Sequence, residues 1–170
     1  MNIFILSWDH QTNAQWHCDK HVVKMPLETT QMLSTVYHRY TNDGPYKPVH
    51  QKHPCTLWAG TTIDNYKWLH DLGVSLCKEY TYRYDKIHAC EKVLALIAEP
   101  PVQLKEEGFT TPYQAMPEEY KDRNTLVAYH NYYINEKARF CKWKRRPIPK
   151  FMQTVMAQML SHSRQDQPLS

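Results

Sequence analysis

The chain has 170 residues and a formal net charge of +4, which allows one domain with a substantial core and permits a nucleic-acid partner. No apolar run approaches the roughly 18 residues that a membrane span needs, and the opening MNIFILSW lacks the basic segment of a secretory signal. Five cysteines without a CxxC pair favour free thiols in a reducing, cytoplasmic compartment, and the common phosphate-binding loops GxGxxG and GxxxxGK do not occur.

The chain begins with an apolar stretch at 2–8 (NIFILSW), which indicates either a short strand or an N-terminal segment laid over the core. Thr12 and Gln15 form a capping-box pattern, which predicts the start of a helix that runs to Tyr37. Pro26 stands inside this range and predicts a kink or a junction between two helical pieces.

One face of this first helix differs from the rest of its surface. At about 100° per residue, most of the circumference is apolar, and the polar side chains share one strip about 80° wide. The strip contains Asn13, His17, His21, Lys24, Glu28 and Gln31. A helix that is apolar almost all round is usually buried, so the strip faces either water or a pocket. Facing water, it would hold an ordinary Lys24–Glu28 surface pair worth roughly 0.2–0.5 kcal/mol.

Facing a pocket, the strip would form a general acid–base site. A lysine among apolar neighbours loses proton affinity and becomes a usable nucleophile, while carboxylates and imidazoles move protons. We therefore predict five catalytic residues in this helix: His17, Asp19, His21, Lys24 and Glu28. Histidines four residues apart also suit a divalent metal. No carboxylate or cysteine completes a known spacing, so no metal ligand and no cofactor is assigned.

Two further histidines, His50 and His53, lie in a polar loop bounded by prolines. The loop can bring them across to the first helix, where they would line the same pocket and bind the substrate. Apolar residues at helical spacing then predict a second helix from 56 to 97, with a break near 85–88 and a further helical piece from 89 to 98.

The end of the second helix carries cations beside aromatic rings. Glu79 and Arg83 are spaced for an ion pair. Arg83, Lys86 and His88 could bind phosphate while the neighbouring tyrosines stack on bases. The helix dipole explains cations at a helix C-terminus equally well, so both interpretations stay open.

A long connection at 102–117 is predicted to be irregular, and its length makes it a candidate functional loop. The segment 117–143 is predicted to be a helix. Toward its end, cations surround an aromatic residue in a pattern that suits a phosphate backbone: Lys137, Lys142, Trp143, Lys144, Arg145 and Arg146. A solvated helix end is the alternative.

Together these segments predict an all-α fold, a compact single domain of three to five helices around a long N-terminal helix. The domain is expected to cover 1–152, and a C-terminal helix or tail is expected at 153–170.

Several short segments also match those of a known family, in the same order along the chain. Gln15-Trp16-His17 is followed by Met25-Pro26, nine residues after the histidine. The segment at 116–121 (MPEEYK), the sequence EKA at 136–138 and the basic, aromatic stretch at 143–151 follow in order. This series resembles the pyrimidine-dimer DNA glycosylases, the small phage-type endonuclease V repair enzymes. The resemblance implies a compact all-α fold whose N-terminus threads between helices, duplex DNA with one flipped base as the partner, and a bacterial or phage-infected cell as the setting.

The chain differs from this family at two catalytic positions. The family's catalytic glutamate lies two residues before the proline, where this chain has Lys24, and the nearest carboxylate is Glu28. The family's nucleophile is the amine of a small residue exposed by removal of methionine, whereas Asn2 is large and normally leaves Met1 in place. His17 is the site residue that carries over, so the resemblance implies a rebuilt site on a DNA-binding frame.

Three functions fit this sequence. The first is an enzyme that flips a DNA base into the helical pocket and cleaves its N-glycosidic bond, with Lys24 or the Met1 amine as nucleophile. The second is a transferase that modifies a flipped pyrimidine in phage DNA, with His17 and His21 binding base or phosphate. The third is a phage protein that binds nucleic acid or a nucleotide without turnover. In each, Asn13 at the start of the strip is assigned to substrate binding.

Overall fold

Seven α-helices form the main regular structure of residues 1–165, the part of the chain that the computed structural model describes. They are α1 (His10–Trp16), α2 (Asp19–Thr41), α3 (Pro54–Ala59), α4 (Ile63–Tyr84), α5 (Cys90–Leu96), α6 (Thr125–Tyr132) and α7 (Lys150–Gln165). Residues 1–165 contain no β-strand, although an isolated parallel bridge joins Thr62 and Lys105. The predicted all-α class is therefore confirmed. Among these residues, no helix is both long and apolar enough to cross a bilayer.

The first predicted helix is two helices that meet at His17 and Cys18. α1 begins earlier than the capping-box pattern predicted, because the Asp9 side chain accepts a hydrogen bond from the Thr12 N–H at 2.8 Å and caps the helix. Cys18 is extended and becomes the N-cap of α2. Pro26 lies inside α2 without ending it, because a helix of 23 residues packed into the core tolerates one lost hydrogen bond. The prediction of a junction at this proline was wrong.

The N-terminal segment runs extended through the core ahead of α1. Ile3, Phe4, Ile5 and Leu6 are 0–5% exposed, although the segment pairs with no strand among the described residues. The Leu6 N–H donates to Asn13 Oδ1 at 3.1 Å, and the Leu6 carbonyl accepts from His130 at 2.7 Å. The prediction of a segment laid over the core is confirmed, and the alternative of a strand is wrong.

The second predicted helix is divided twice. α3 ends at Ala59, and α4 starts after Thr62, whose hydroxyl accepts from the Asn65 N–H at 3.1 Å and caps it. The predicted break near 85–88 is confirmed, because Asp85 takes a left-handed conformation (φ 54°) and ends α4.

The third predicted helix starts later and ends differently. Its first turn is delayed to Thr125, because the Asn124 side chain accepts from the N–H groups of the next turn and caps α6 there. After α6 the chain forms a π-helical turn, Tyr133–Lys137, and a 3-10 turn, Ala138–Phe140. The wider π turn places the Lys137 amine over the Tyr132 ring, 4.7 Å from its centroid.

The C-terminal helix also starts earlier than the sequence suggested. α7 begins at Lys150, so the predicted domain boundary at 152 falls within its first turn. Residues 166–170 of the predicted tail lie outside the described range.

α2 and α4 pack along each other at the centre of the domain. Their backbones approach closely at Gly73, where an added Cβ would lie 2.9 Å from Thr29 Cγ2. The buried core around them includes all five cysteines, which are free. This pairing fixes the orientation of α2 and hence of its polar side chains.

Candidate active site

A cavity of about 200 Å³ opens beside the N-terminus, where α2, the extended N-terminal segment and the π turn meet. We call it the N-terminal pocket. Its walls are Met1, Asn2, Phe4, His21, Lys24, Met25, Glu28, Ala115, Tyr132 and Lys137. The pocket brings together three of the predicted catalytic residues, all from α2, and one cation that the sequence assigned to DNA binding.

Glu28 is the carboxylate of the pocket and is 8% exposed. Its Oε2 accepts a hydrogen bond from the Asn2 N–H at 3.0 Å, and its Oε1 lies 3.2 Å from Lys24 Nζ. Each oxygen of this nearly buried carboxylate therefore has a partner, as burial of a charge requires. The Lys24 side chain is 67% exposed, so the prediction of a lysine buried among apolar neighbours was wrong. It reaches Glu28 from the solvent side.

The His21 ring forms another wall and is 7% exposed. It stacks on Phe4, with the ring centroids 4.3 Å apart. Its Nδ1 lies 2.6 Å from the Tyr133 hydroxyl, which also accepts from the Cys18 N–H at 3.2 Å. When that hydroxyl donates its proton to Nδ1, Nε2 carries the ring proton. In that arrangement Nε2–H is a hydrogen-bond donor on a ring that lines the pocket.

Aromatic rings and an amine complete the pocket. The Lys137 amine lies 4.7 Å from the Tyr132 ring centroid and 5.9 Å from that of Phe4. Tyr132 stacks on Tyr120, whose hydroxyl donates to Glu136 at 2.8 Å. That hydrogen bond raises the pKa of Tyr120 and keeps the hydroxyl protonated. Aromatic side chains next to a lysine suit a ligand that combines a planar ring, which stacks on the aromatic faces, with an anionic group, which pairs with the lysine.

His17 and Asn13 lie in the core and do not line the N-terminal pocket. His17 is fully buried, its Nδ1 donates to the Asn13 carbonyl at 2.7 Å, and burial lowers its pKa to about 3. Asn13 is also fully buried and holds the N-terminal segment through Leu6. The prediction that one strip faces one pocket was wrong for these two residues, because the break at Cys18 gives α1 and α2 different axes.

Asp19 and Arg83 belong to a buried ion-pair network away from the pocket. Arg83 is fully buried and donates to Glu79 at 2.7 Å, to Asp19 at 2.9 Å and to the Gln15 carbonyl at 2.8 Å. Glu79 also accepts two hydrogen bonds from Arg146, both at 3.0 Å. The Glu79–Arg83 pair predicted from its spacing is confirmed. Since Arg83 is buried and each of its three nitrogens donates to a partner inside the protein, it is not available to bind phosphate.

The C-terminal basic cluster is partly neutralised. Trp143 is 8% exposed and its indole N–H donates to a backbone carbonyl of α1 at 2.9 Å, so it offers no stacking face. Arg145 pairs with Asp85 at 2.8 Å, and Arg146 pairs with Glu79 of the buried network at 3.0 Å. Lys142 and Lys144 are exposed, and the amine of Lys144 lies 5.1 Å from a tyrosine ring centroid. The uncompensated charge of the cluster therefore resides mainly on the two lysines.

The two cations after α4 differ in their roles. Lys86 is exposed. His88 accepts the Cys90 N–H at 3.1 Å through Nδ1 and donates to the Val23 carbonyl at 3.0 Å through Nε2. Both of its nitrogens therefore hold the loop before α5 against α2.

His50 and His53 line a separate, open depression, with ring centroids 6.5 Å apart. Burial lowers the pKa of His53, and the positive charge of the α-amino group lowers it further, while Glu28 opposes both effects. His53 does not line the N-terminal pocket, but it is the N-cap of α3, and the Thr56 hydroxyl of that helix lies 3.9 Å from the sulfur of Met1, a residue of the pocket wall.

Sequence reasoning missed the pocket walls that come from outside α2. The Asn2 N–H could have been suspected, because the resemblance places the chemistry at the chain's N-terminus. Phe4 and Tyr132 carry no such signal, because their positions depend on the path of the N-terminal segment and on the π turn.

Comparisons with known proteins add no assignment: no family model, no curated protein and no solved structure matches this chain. Within residues 1–165, no group of three or more His, Cys, Asp or Glu side chains is arranged to hold a metal ion. The geometry and charge of the N-terminal pocket are therefore the basis on which a function can be proposed.

Proposed function

We propose that this protein binds DNA, takes a flipped base into the N-terminal pocket and cleaves its N-glycosidic bond. The observation that supports this most directly is the Glu28 carboxylate, held between the Asn2 N–H at 3.0 Å and the Lys24 amine at 3.2 Å. A carboxylate and an amine in contact at a small cavity can exchange a proton. A carboxylate in this position can act as the general base that takes the proton from the amine as the amine attacks.

The size and the walls of the pocket suit a single planar ring. Its volume of about 200 Å³ is below that of sites for drug-sized ligands. Phe4 and Tyr132 offer aromatic surface, and His21 supplies a hydrogen-bond donor for a ring carbonyl. A pyrimidine carries such carbonyl groups, which favours a pyrimidine as the flipped base.

In the proposed reaction, Glu28 takes a proton from the Lys24 ammonium and the neutral amine attacks C1′ of the flipped nucleotide. The bond between C1′ and the base breaks, the base leaves with the bonding electrons, and Glu28 returns the proton to it. A proton then passes from the attached nitrogen to O4′ as the C1′–O4′ bond opens, and water hydrolyses the resulting iminium to free the enzyme amine. The Met1 α-amine lies on the same wall and is the alternative nucleophile. As a class, α-amines lose their proton about two to three pH units below lysine side chains.

Cations around the pocket suit the phosphates that flank a flipped base. Besides Lys24, Lys137 belongs to its walls, and Lys20 lies one helical turn before Lys24; the phosphate contacts fall to Lys137 and Lys20. The Lys20 amine lies 5.1 Å from the Phe140 ring centroid, and Phe140 in turn contacts His21. These lysines would hold the DNA backbone electrostatically, without reading its sequence.

Glu28→Gln tests the proposal. Base release from duplex oligonucleotides that carry pyrimidine dimers or 5-hydroxymethyl pyrimidines should fall by about 100-fold or more, because the amide cannot shuttle a proton. The melting temperature should change little, because the amide oxygen still accepts the Asn2 N–H. Glu99→Gln, at an exposed position, is the matched control and should keep the rate.

Borohydride trapping identifies the nucleophile. If Lys24 attacks C1′, Lys24→Ala should abolish the trapped protein–DNA adduct. Undiminished trapping in that variant assigns the attack to the Met1 amine instead, and no adduct from the wild-type chain on any of these substrates argues against amine catalysis.

Two other results would replace glycosidic cleavage with another function. A gain in mass of a nucleoside recovered from treated DNA indicates a transferase. DNA binding that is unaffected by Glu28→Gln, with no change in any nucleoside, indicates a binding module.

A further inference from the structure

An open depression of about 780 Å³ lies between the end of α2 and the loop that follows it. Its polar walls are Arg39, His50, Gln51, Lys52 and His53, and no carboxylate among the described residues lines it. We call it the basic depression. Arg39 and Lys52 are both exposed, and neither forms an ion pair with any part of the chain between residues 1 and 165.

The loop that carries these side chains is held in one conformation. The Thr35 hydroxyl accepts from the Val49 N–H at 3.0 Å and donates to the Val49 carbonyl at 3.1 Å. Arg39 donates to a loop carbonyl at 2.9 Å. His50 has a left-handed backbone (φ 46°), and its carbonyl accepts the His53 N–H at 2.9 Å. The loop backbone and the Arg39 side chain are therefore positioned before any ligand arrives, which lowers the entropic cost of binding.

The His53 ring has a defined hydrogen-bond donor, its Nε2–H group. Its Nδ1 accepts the Cys55 N–H at 3.1 Å, so Nε2 carries the ring proton in the neutral state and is a donor in either ionisation state. The α-amino group and His50 both lower the pKa of His53, and Glu28 acts in the opposite direction. Arg39 and Lys52 line the same depression, so this donor lies in one site with two cationic side chains.

We propose that the basic depression binds a phosphate group through Arg39, Lys52 and His53, and that this phosphate belongs to the nucleotide strand whose base enters the N-terminal pocket. Phosphate binding at the depression is independent of the proposed function. The assignment of that phosphate to the strand with the flipped base rests on it. The planar fork of Arg39 matches two phosphate oxygens, and Lys52 adds a point charge. His53 connects the two sites through α3: it lines the depression and is the N-cap of that helix, and the Thr56 hydroxyl of the same helix lies 3.9 Å from the sulfur of Met1, which lines the N-terminal pocket.

Nuclear magnetic resonance of the imidazole groups in the intact chain tests the proposal. Inorganic phosphate, thymidine 5′-monophosphate and a short oligothymidylate are titrated separately, and the shifts of the His50 and His53 ring signals are followed. Each probe should give a saturable shift, and the oligothymidylate should bind most tightly. Arg39→Gln and Lys52→Gln should each weaken binding about tenfold, because each removes a charged hydrogen-bond donor.

Lys47→Gln is the matched control, because Lys47 is exposed on the same loop but does not line the depression. Binding should be unchanged in this variant, and an equal loss would overturn the site. Absence of any shift with phosphate would also overturn it. Shifts with inorganic phosphate but not with either nucleotide probe would overturn the assignment to a nucleotide strand. Glu28→Gln should leave phosphate binding intact, so failure of the proposed base chemistry can be distinguished from failure of this site.

Discussion

His17 and His21 lie one helical turn apart in the sequence, yet their surroundings give them different chemistry. His21 lines the N-terminal pocket and is oriented by the Tyr133 hydroxyl at 2.6 Å. His17 is sealed in the core, where its one hydrogen bond to the Asn13 carbonyl does not offset the cost of charging the ring. Residue type and spacing could not separate the two, because the difference lies in what packs around each ring.

The burial of His17 predicts an acid-sensitive fold. Burial lowers its pKa from 6.5 to about 3, so between these pH values the unfolded chain binds more protons than the folded one. The stability is therefore complete above pH 6.5 and falls as the pH drops toward 3, by up to about 1.4 kcal/mol per pH unit. His17→Asn keeps an N–H donor and does not titrate, so its unfolding free energy should fall less steeply with acid in urea denaturation.

The control for this measurement is His162→Asn, because His162 is exposed on α7. Its slope should match that of the wild-type chain. Parallel slopes for His17→Asn and the wild-type chain would show that the buried ring is not the group responsible.

At the scale of elements, the contact between α2 and α4 depends on one glycine. Gly73→Ala gains helix propensity worth about 1 kcal/mol. The new Cβ would, however, lie 2.9 Å from Thr29 Cγ2 and 3.1 Å from Leu94 Cδ1. Overpacking of this kind typically costs about 1–3 kcal/mol, so the variant should be less stable in thermal or urea unfolding.

Thr29→Ser isolates the cause, because serine lacks the methyl group that the alanine would meet. In the double variant Gly73→Ala/Thr29→Ser, the loss should be smaller than the sum of the two single losses by about 1 kcal/mol. If the losses of the two single variants simply add in the double variant, the destabilisation by Gly73→Ala does not come from contact with the Thr29 methyl group.

At the scale of the whole molecule, Arg83 joins parts of the chain that are far apart in sequence. It contacts α1 through the Gln15 carbonyl, α2 through Asp19 and its own helix through Glu79, which also holds Arg146 of the C-terminal segment. Each donor of this fully buried guanidinium has a different partner. The position of α2, and with it the N-terminal pocket, depends on this junction.

Arg83→Met should therefore destabilise the fold by about 3–5 kcal/mol, because it removes the buried cation that joins Glu79, Asp19 and the Gln15 carbonyl and leaves only Arg146 paired with Glu79. Arg83→Lys should recover only part of the loss, because one ammonium cannot reproduce three directed contacts. Urea denaturation measures both, with the exposed Arg139→Met as the control. A loss of less than about 1 kcal/mol would mean that the network contributes little.

The sequence by itself determined the all-α class, the break near 85–88, the irregular connection after it and the Lys24–Glu28 pair. Each of these depends on neighbours a few residues apart: helical spacing of apolar side chains, turn residues, or charges four positions apart. Such local preferences are encoded in short stretches of chain and need no knowledge of the rest.

Only the tertiary structure decided which part of the polar strip lines a cavity. The chain turns at Cys18, so α1 carries Asn13 and His17 into the core while α2 turns His21 and Glu28 toward the N-terminus. The N-terminal segment and the π turn supply the remaining walls. These positions follow from contacts between residues more than a hundred positions apart, such as Phe4 with Tyr132, and the free energy of such packing cannot be read from any local pattern.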